Sequence, residues 1–491
     1  MISLDERRTV HLIGVGGAGM SGLARLALAA GHTVTGSDRA ESPALDALRA
    51  LGADVWAGHA AERLGTPDLV VVSTAIRDTN PELARARKAG LPVLHRAQML
   101  ALLMEGRTGI AVAGTHGKTT TTTMTILILQ AAGLEPSFAV GGDMLGTGVN
   151  AAAGTGPHFV AEADESDGSF LELSPGIAVV TNVEADHLDH WGDLVAITAA
   201  FRDFAGRLPS DGTLVLCADD PGAAALADAT KATVLTYSVE PAASAAARAV
   251  TGGAPETGTG SEPDLLAVEV EAAGAGSSFT VLLRGRSLGR VELPQPGRHN
   301  IANALAATGA ALAAGAEFGA VQAALAAYSG VARRFQRRGV AGGVTLVDDY
   351  AHHPTELAAT LAAARLGGWE RVVAVFQPHL YSRTAAFADA FGQALTAADV
   401  AVVTDVYAAR EDPVPGVTGQ LVADAALAAR PGLEVVYAPD RAALAATVAG
   451  LARPGDLVLS LGAGDVTALA DELAPLLTGN PAKPQNAEGA S

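Results

Sequence analysis

Residues 109–121, G-I-A-V-A-G-T-H-G-K-T-T-T, join an apolar run to a Gly-rich turn, a lysine and a string of threonines. Such a turn between a strand and a helix gathers free backbone amides, an ammonium and a hydroxyl at one point, the groups that hold the phosphates of a nucleoside triphosphate. Gly114, Thr115, His116, Gly117, Lys118, Thr119 and Thr120 form this candidate ATP cradle. Lys118 would neutralise the β- and γ-phosphates, and the Thr119 hydroxyl would ligate magnesium. Strict P-loop spacing asks for glycine at residue 112, where the chain has Val112, and an incidental Gly-rich turn is the plain alternative. Arginine replaces lysine almost throughout, leaving only Lys88, Lys118, Lys231 and Lys483, which gives Lys118 in this setting more weight.

Further on, E-A-D-E-S-D-G-S-F bunches Glu162, Asp164, Glu165 and Asp167 just after an apolar strand. Acidic clusters are commonly solvated loops, but one strand after a phosphate loop this one favours a magnesium ligand near the crevice of the sheet. The segment T-N-V-E-A-D-H-L-D-H-W-G ends the next strand in the same way. His187 and His190, flanked by Asp186 and Asp189, could bind a transition metal, but no cysteine or Glu-x-x-His pattern completes such a site. Near the N-terminus, Gly14, Gly16 and Gly19 form G-x-G-x-x-G, with Asp38 closing the next strand. That fingerprint suits the diphosphate of NAD, another diphosphate, or a tight structural turn.

Positioning these groups requires parallel strands with loops at their carboxyl ends. From Thr9 to about Gly106 short β-branched runs alternate with Ala/Leu-rich periodic segments, which indicates βαβ units on a parallel sheet. A second α/β block opens at Thr108, and a third near Arg333 with G-V-T-L-V-D-D-Y and R-V-V-A-V-F-Q-P. Residues 240–264, rich in Pro, Gly, Ala, Ser and Thr, read as a loop inserted between strands, and 477–491 as a disordered tail.

The 491 residues allow about three domains. Lys+Arg 33 against Asp+Glu 52 gives a net charge of −19, an overall field unsuited to nucleic acid or an anionic membrane, so phosphate must be held locally. The lone Cys217 excludes an intramolecular disulfide framework, and no C-x-x-C pair offers a zinc ribbon. The N-terminal residues lack the pattern of a signal peptide, and the Ala/Gly-rich stretch Ile301 to Tyr328 is a poor membrane span. A cytoplasmic protein without membrane insertion is expected.

In chain order, G-V-G-G-A-G-M-S-G-L-A, G-T-H-G-K-T-T, E-A-D-E-S-D, N-V-E-A-D-H-L-D, G-R-H-N-x-x-N-A, R-R-F, D-D-Y-A-H-H-P and F-Q-P-H-x-Y-S-R-T resemble the Mur ligase family, and within it the members that act on UDP-N-acetylmuramate and L-alanine. The family uses the shortened phosphate cradle. The resemblance implies three α/β domains. Residues 1–106 would be a Rossmann-like domain binding the UDP-sugar through Gly14, Gly16, Gly17, Ala18, Gly19, Met20, Ser21, Asp38, Ser73, Thr74 and Ala75. Residues 107–330 would be a P-loop ATPase-type domain, and 331–476 a Rossmann-like domain closing over the site with the amino acid.

The implied reaction is ATP-dependent amide formation: the lactyl carboxylate of UDP-N-acetylmuramate is phosphorylated to an acyl phosphate, which the amine of L-alanine attacks. Lys118, Glu162, His187 and Arg334 would be catalytic, with Thr119 and Glu162 on the Mg2+ of ATP and His187 on a second Mg2+. His299, Asn300 and Asn303 would contact adenine, Arg334 the phosphates, Asp349 the ribose, and Tyr350, His352 and Arg383 the amino acid. Two departures stand out. Arg202 occupies the place of a modified lysine in several sister ligases, and Leu380 a place where some relatives have arginine. The competing readings are a recycling ligase that joins a peptide to the same UDP-sugar, an NAD-dependent oxidoreductase fused to a P-loop module, and a nucleotide-gated binding protein.

Overall fold

The computed structural model describes residues 4–239, 262–273, 276–409 and 411–479. Most of the loop expected at 240–264, and all but the first three residues of the tail expected from 477, lie outside them. The described chain forms three sheets, one for each α/β block. The first two belong to one compact unit and the third to another.

In the first sheet β1 (Thr9–Ile13), β2 (Thr33–Asp38), β3 (Asp54–Ala57), β4 (Leu69–Val72) and β5 (Val93–His95) run parallel in the order β3-β2-β1-β4-β5. Val10, Leu12 and Ile13 are wholly buried, as expected of a parallel strand covered by helices on both faces. Because the chain moves from β1 to β2 on one side and later to β4 on the other, a crevice opens at the carboxyl end of β1. The Gly-rich loop lies there, leading into the helix Ala18–Ala29.

The second sheet comprises β6 (Thr108–Ala113), β7 (Ser137–Ala139), β8 (Ala151–Ala152), β9 (His158–Glu162), β10 (Ile177–Val180), β11 (Thr213–Cys217), β12 (Thr233–Val239), β13 (Leu265–Ala273), β14 (Gly276–Leu283) and β15 (Arg286–Leu293), in the order β15-β14-β13-β12-β11-β10-β6-β9-β7-β8. Its centre is parallel, and β14 and β15 close it as an antiparallel hairpin. β6 lies between β10 and β9, so the strand feeding the cradle is flanked by the two whose ends carry N-V-E-A-D-H and E-A-D-E-S-D. The Ala-rich helix Arg298–Ala313 packs closely on this sheet: a Cβ added at Gly309 would lie 3.0 Å from Leu235 and Val215 and 3.3 Å from Leu265.

In the third sheet β16 (Gln336–Ala341), β17 (Val344–Asp349), β18 (Arg371–Phe376), β19 (Val400–Val403), β20 (Glu434–Tyr437) and β21 (Asp456–Leu461) take the order β16-β17-β21-β18-β19-β20, with β16 the antiparallel edge. The helix Leu469–Thr478 continues past residue 477 because Leu473 and Leu477 bury against this sheet, so the expected tail begins later than its composition suggested. Among the described residues no helix is long and apolar enough to cross a membrane.

Candidate active site

Gly114 (φ +128°) and Gly117 (φ +82°) make the turn after β6, and the helix Lys118–Ala131 starts at once behind Gly117. The first amides of that helix have no intrahelical acceptor, and the helix dipole adds positive potential, so the turn suits an anion. The end of β10 holds the turn in place. Asn182 exchanges bonds with His116, its Oδ1 accepting from the amide at 2.8 Å and its Nδ2 donating to the carbonyl at 3.1 Å. Thr181 Oγ1 donates to the same carbonyl at 2.6 Å, and the Glu184 amide donates to Thr115 Oγ1 at 2.9 Å.

Lys118 Nζ donates to the carbonyls of Gly114 (2.7 Å) and Thr115 (3.0 Å) and to Glu165 Oε1 (2.9 Å). Burial would lower its pKa, but Glu165, Asp164 and Glu162 outweigh burial and raise it. Burial pushes Glu165 up against the pull of Lys118. For Asp164, burial is outweighed by Lys118 and Arg96, which hold it at about 2. Thr119 Oγ1 donates to Glu162 Oε1 at 3.0 Å, and the Gly141 amide donates to Glu162 Oε2 at 2.7 Å. The expected pair for the metal on ATP is thus adjacent, and a hydroxyl beside a carboxylate is a hard-oxygen set that suits Mg2+. His187, in the left-handed region (φ 52°), sits instead against Asp186 (3.7 Å) and Glu165 (3.9 Å).

Asn303 stands behind the cradle. Its Oδ1 accepts from Thr121 Oγ1 at 3.3 Å, and a Cβ added at Gly117 would run into that same oxygen. The residue expected at an adenine therefore buttresses the phosphate turn. Asn300 is buried one turn earlier on the same helix, with His299 half-buried beside it.

A cleft of about 630 Å3 covers the Gly-rich loop of the first sheet. Nine of the eleven residues expected to hold the UDP-sugar line it: Gly14, Gly16, Gly17, Ala18, Gly19, Met20, Asp38, Ser73 and Ala75. Ser21 is buried and bonds the Ala18 carbonyl at 3.0 Å, and Thr74 is exposed outside the lining. Asp38 Oδ2 accepts from the Gly16 amide at 2.8 Å, tying the loop to β2. Arg39, Ser42, His59 and Arg96 also line the cleft and carried no motif signal. Arg96 NH2 donates to Asp164 Oδ2 at 2.8 Å, and the same residue lines an adjoining slot of about 90 Å3 that reaches Glu162 and Phe170. His59 Nδ1 lies 2.8 Å from Ser37 Oγ, whose hydroxyl donates to the fully buried Glu82.

In the second unit, Arg333 (φ 62°) and Phe335 (φ 45°) bend R-R-F into a turn that Asp349 fastens. Its carboxylate accepts from the amides of Phe335 (2.7 Å) and Ala351 (2.8 Å). Burial pushes Asp349 up to about 6, against the pull of Arg334. Asp349, expected at a ribose, is committed here to holding backbone. Arg334 pairs with Glu356 at 3.3 Å and lies over the Tyr350 ring at 5.2 Å, while Arg333 donates to the carbonyls of Gly462 and Gly464. His352 packs between the Tyr350 and His379 rings, and its amide donates to Glu356. Arg383 is 7% exposed on the helix Tyr381–Leu395, and Leu380 is buried before it. Arg202 pairs with Asp228 at 2.8 Å on the surface.

The Mur ligase family catalytic-domain model matches residues 9–108, the Mur ligase middle-domain model 112–311 and the Mur ligase glutamate ligase domain model 333–464. The chain is 51% identical over 484 residues to the UDP-N-acetylmuramate–L-alanine ligase of Nocardioides sp., covering 98% of each. The chain belongs to the Mur ligase family. The protein of the same name from Mycolicibacterium smegmatis is also 51% identical, over 95% of each chain. Among solved structures, the UDP-N-acetylmuramate-alanine ligase of Thermotoga maritima superposes with a TM-score of 0.77 at 29% identity, over 96% of this chain and 99% of that one. A murein peptide ligase from Psychrobacter arcticus follows with a TM-score of 0.69 at 27% identity, over 97% and 100%. The resemblance of the sequence motifs and the three-sheet α/β fold agree with these matches.

Proposed function

We propose that the chain joins L-alanine to the lactyl carboxylate of UDP-N-acetylmuramate, consuming ATP and releasing ADP and phosphate, as a step of cytoplasmic peptidoglycan precursor synthesis. The near-full-length identity to ligases of that name carries the reading, and the chemistry of the first unit supports it. A carboxylate is a poor acyl donor, so the γ-phosphoryl group passes to a carboxylate oxygen, giving an acyl phosphate. The alanine amine then attacks the acyl carbon, phosphate departs, and the nitrogen gives up its proton.

Two anions must first approach each other, and preorganised positive groups offset the repulsion. Lys118 and the amides of the turn would take the ATP phosphates, the ligand that the family resemblance also gives to Arg334. Thr119 and Glu162 would hold a magnesium ion and His187 a second, supplying charge neutralisation at the phosphates. The Gly-rich loop would hold the UDP diphosphate, and Arg96, which lines both the cleft and the slot toward Glu162, would guide the substrate's acyl arm. Tyr350, His352 and Arg383 would take the amino acid, a buried guanidinium suiting its carboxylate.

The test is phosphate release with UDP-N-acetylmuramate, ATP and a panel of amino acids and a tripeptide. L-Alanine should be preferred; release only with the tripeptide would favour the recycling reaction. Lys118→Ala should abolish release while calorimetry still detects UDP-N-acetylmuramate and no NAD. Turnover within about tenfold of wild type, some 1.4 kcal/mol in barrier, would sink the cradle assignment.

A further inference from the structure

Lys118 has three N–H donors, and all three are spent inside the protein: two on backbone carbonyls of its own turn and one on Glu165. Both Glu165 oxygens lie within 2.9 Å of Nζ. The other acids of E-A-D-E-S-D are engaged elsewhere. Glu162 takes the Thr119 hydroxyl and the Gly141 amide, Asp164 takes Arg96 and the Ser166 amide, and Asp167 takes the Ser169 amide. Glu165 alone in that loop has the cradle ammonium as its partner; it is 2% exposed and the Lys118 side chain 14%, so bulk water compensates the pair little. Its main chain is also pinned, the carbonyl accepting from Trp191 Nε1 at 3.0 Å and from the Gly168 amide at 3.1 Å.

A buried ammonium requires a counter-anion, and a phosphate entering the cradle would offer a second one for the same donor. Resting on the ATP-binding reading of this site, we propose that Glu165 is a positioning residue that stands in for phosphate, holding Lys118 in place in the empty cradle and competing with the nucleotide for it. The carboxylate stabilises the ligand-free form more than the bound form, so it lowers nucleotide affinity and favours product release. Neutralising it leaves Lys118 buried without its anion until nucleotide arrives. The free protein should then be less stable and bind nucleotide more tightly, a combination that neither a merely structural ion pair nor a direct metal ligand produces.

The experiment compares full-length wild type, Glu165→Gln, Lys118→Ala and the double variant, using calorimetry with the magnesium complex of a non-hydrolysable ATP analogue, melting curves, and steady-state kinetics. Glu165→Gln is expected to bind the analogue about tenfold or more tightly, to melt lower when free, to gain more on adding analogue, and to lower kcat and the KM for ATP together. In the Lys118→Ala background the same change should bring no tightening. Equal or weaker binding by folded Glu165→Gln overturns the inference, as does tightening that persists without Lys118. If Glu165→Gln does not fold, Glu165→Asp, with its shorter reach to Nζ, must show a smaller tightening in the same direction; unchanged or weaker binding there overturns the inference. A wild-type chain that binds no nucleotide overturns the ATP reading itself, whereas wild-type binding with no gain in the variant overturns only the role of Glu165.

Discussion

Replacing Gly114 with alanine tests whether the cradle is as tightly built as its geometry requires. At φ +128° an L-residue is strained, and the added Cβ would overlap the Thr181 hydroxyl and lie 2.9 Å from the Thr181 amide nitrogen and 3.1 Å from that of Asn182. Backbone strain of about 1–3 kcal/mol and overpacking of about 1–3 kcal/mol add to about 2–6 kcal/mol. Gly133 is the control. Its φ is +71°, but a Cβ placed there would meet nothing within 4 Å, so alanine should cost only about 1–2 kcal/mol. At roughly 2 °C per kcal/mol, melting should fall by about 4–12 °C for Gly114→Ala and about 2–4 °C for Gly133→Ala. Only Gly114→Ala should lose the ATP analogue in calorimetry. Thr181→Ala removes the hydroxyl that the new methyl would strike, so the double variant should be more stable than the sum of its parts by about 1 kcal/mol or more. Equal melting for the two glycine variants, or strict additivity in the pair, would refute the reasoning.

Glu162→Gln should lower turnover at least about a hundredfold and weaken the dependence on magnesium while melting stays within a few degrees, because one oxygen acceptor survives but the charge does not; near-normal turnover would remove Glu162 from the metal site. Asp349, ordinarily near 3.8, is raised to about 6. The folded chain therefore keeps a proton that the unfolded chain loses, and the associated stability, about 3 kcal/mol, is full below pH 4 and is lost as the pH rises through 6. Asp349→Asn should melt below wild type at pH 4.5, because one amide loses its acceptor, and should show a smaller difference between pH 4.5 and 7.5 than wild type. An unchanged difference would show that Asp349 does not titrate in that window.

What was legible in the sequence is what is local along the chain. The cradle from Gly114 to Thr120 and the Gly-rich loop each follow a single strand, so strand, turn and helix could be read as a unit. The choice of partners was not legible. Glu162 and Glu165 stand three residues apart with the same chemistry, and only the path of the loop gives one to Thr119 and the other to Lys118. Asn303 faces the phosphate turn because the helix carrying it docks behind Thr121, and the polar residues around it suggest only a cap or a base contact. Arg96 stands in no motif, yet the packing of the first two sheets brings it to Asp164. Ser21 illustrates the converse: its place in a Gly-rich run suggests a ligand, but a helical side chain one turn in points back to the Ala18 carbonyl.

The helix behind the cradle also bears on the order in which the protein becomes competent during synthesis. Thr121, Thr122, Thr123 and Thr125 are wholly buried, and a run of β-branched residues forms a helix poorly without tertiary support. Part of that support comes from Asn303, 182 positions after Thr121. At roughly 5–20 residues per second, a ribosome makes Lys118 about 10–40 s before the residue that backs its turn. During that interval β6 exists while the turn behind it lacks its back wall. A nucleotide at this site would therefore stabilise the finished unit and leave its nascent precursors unaided, so the early chain depends on its own strand pairing to avoid straying.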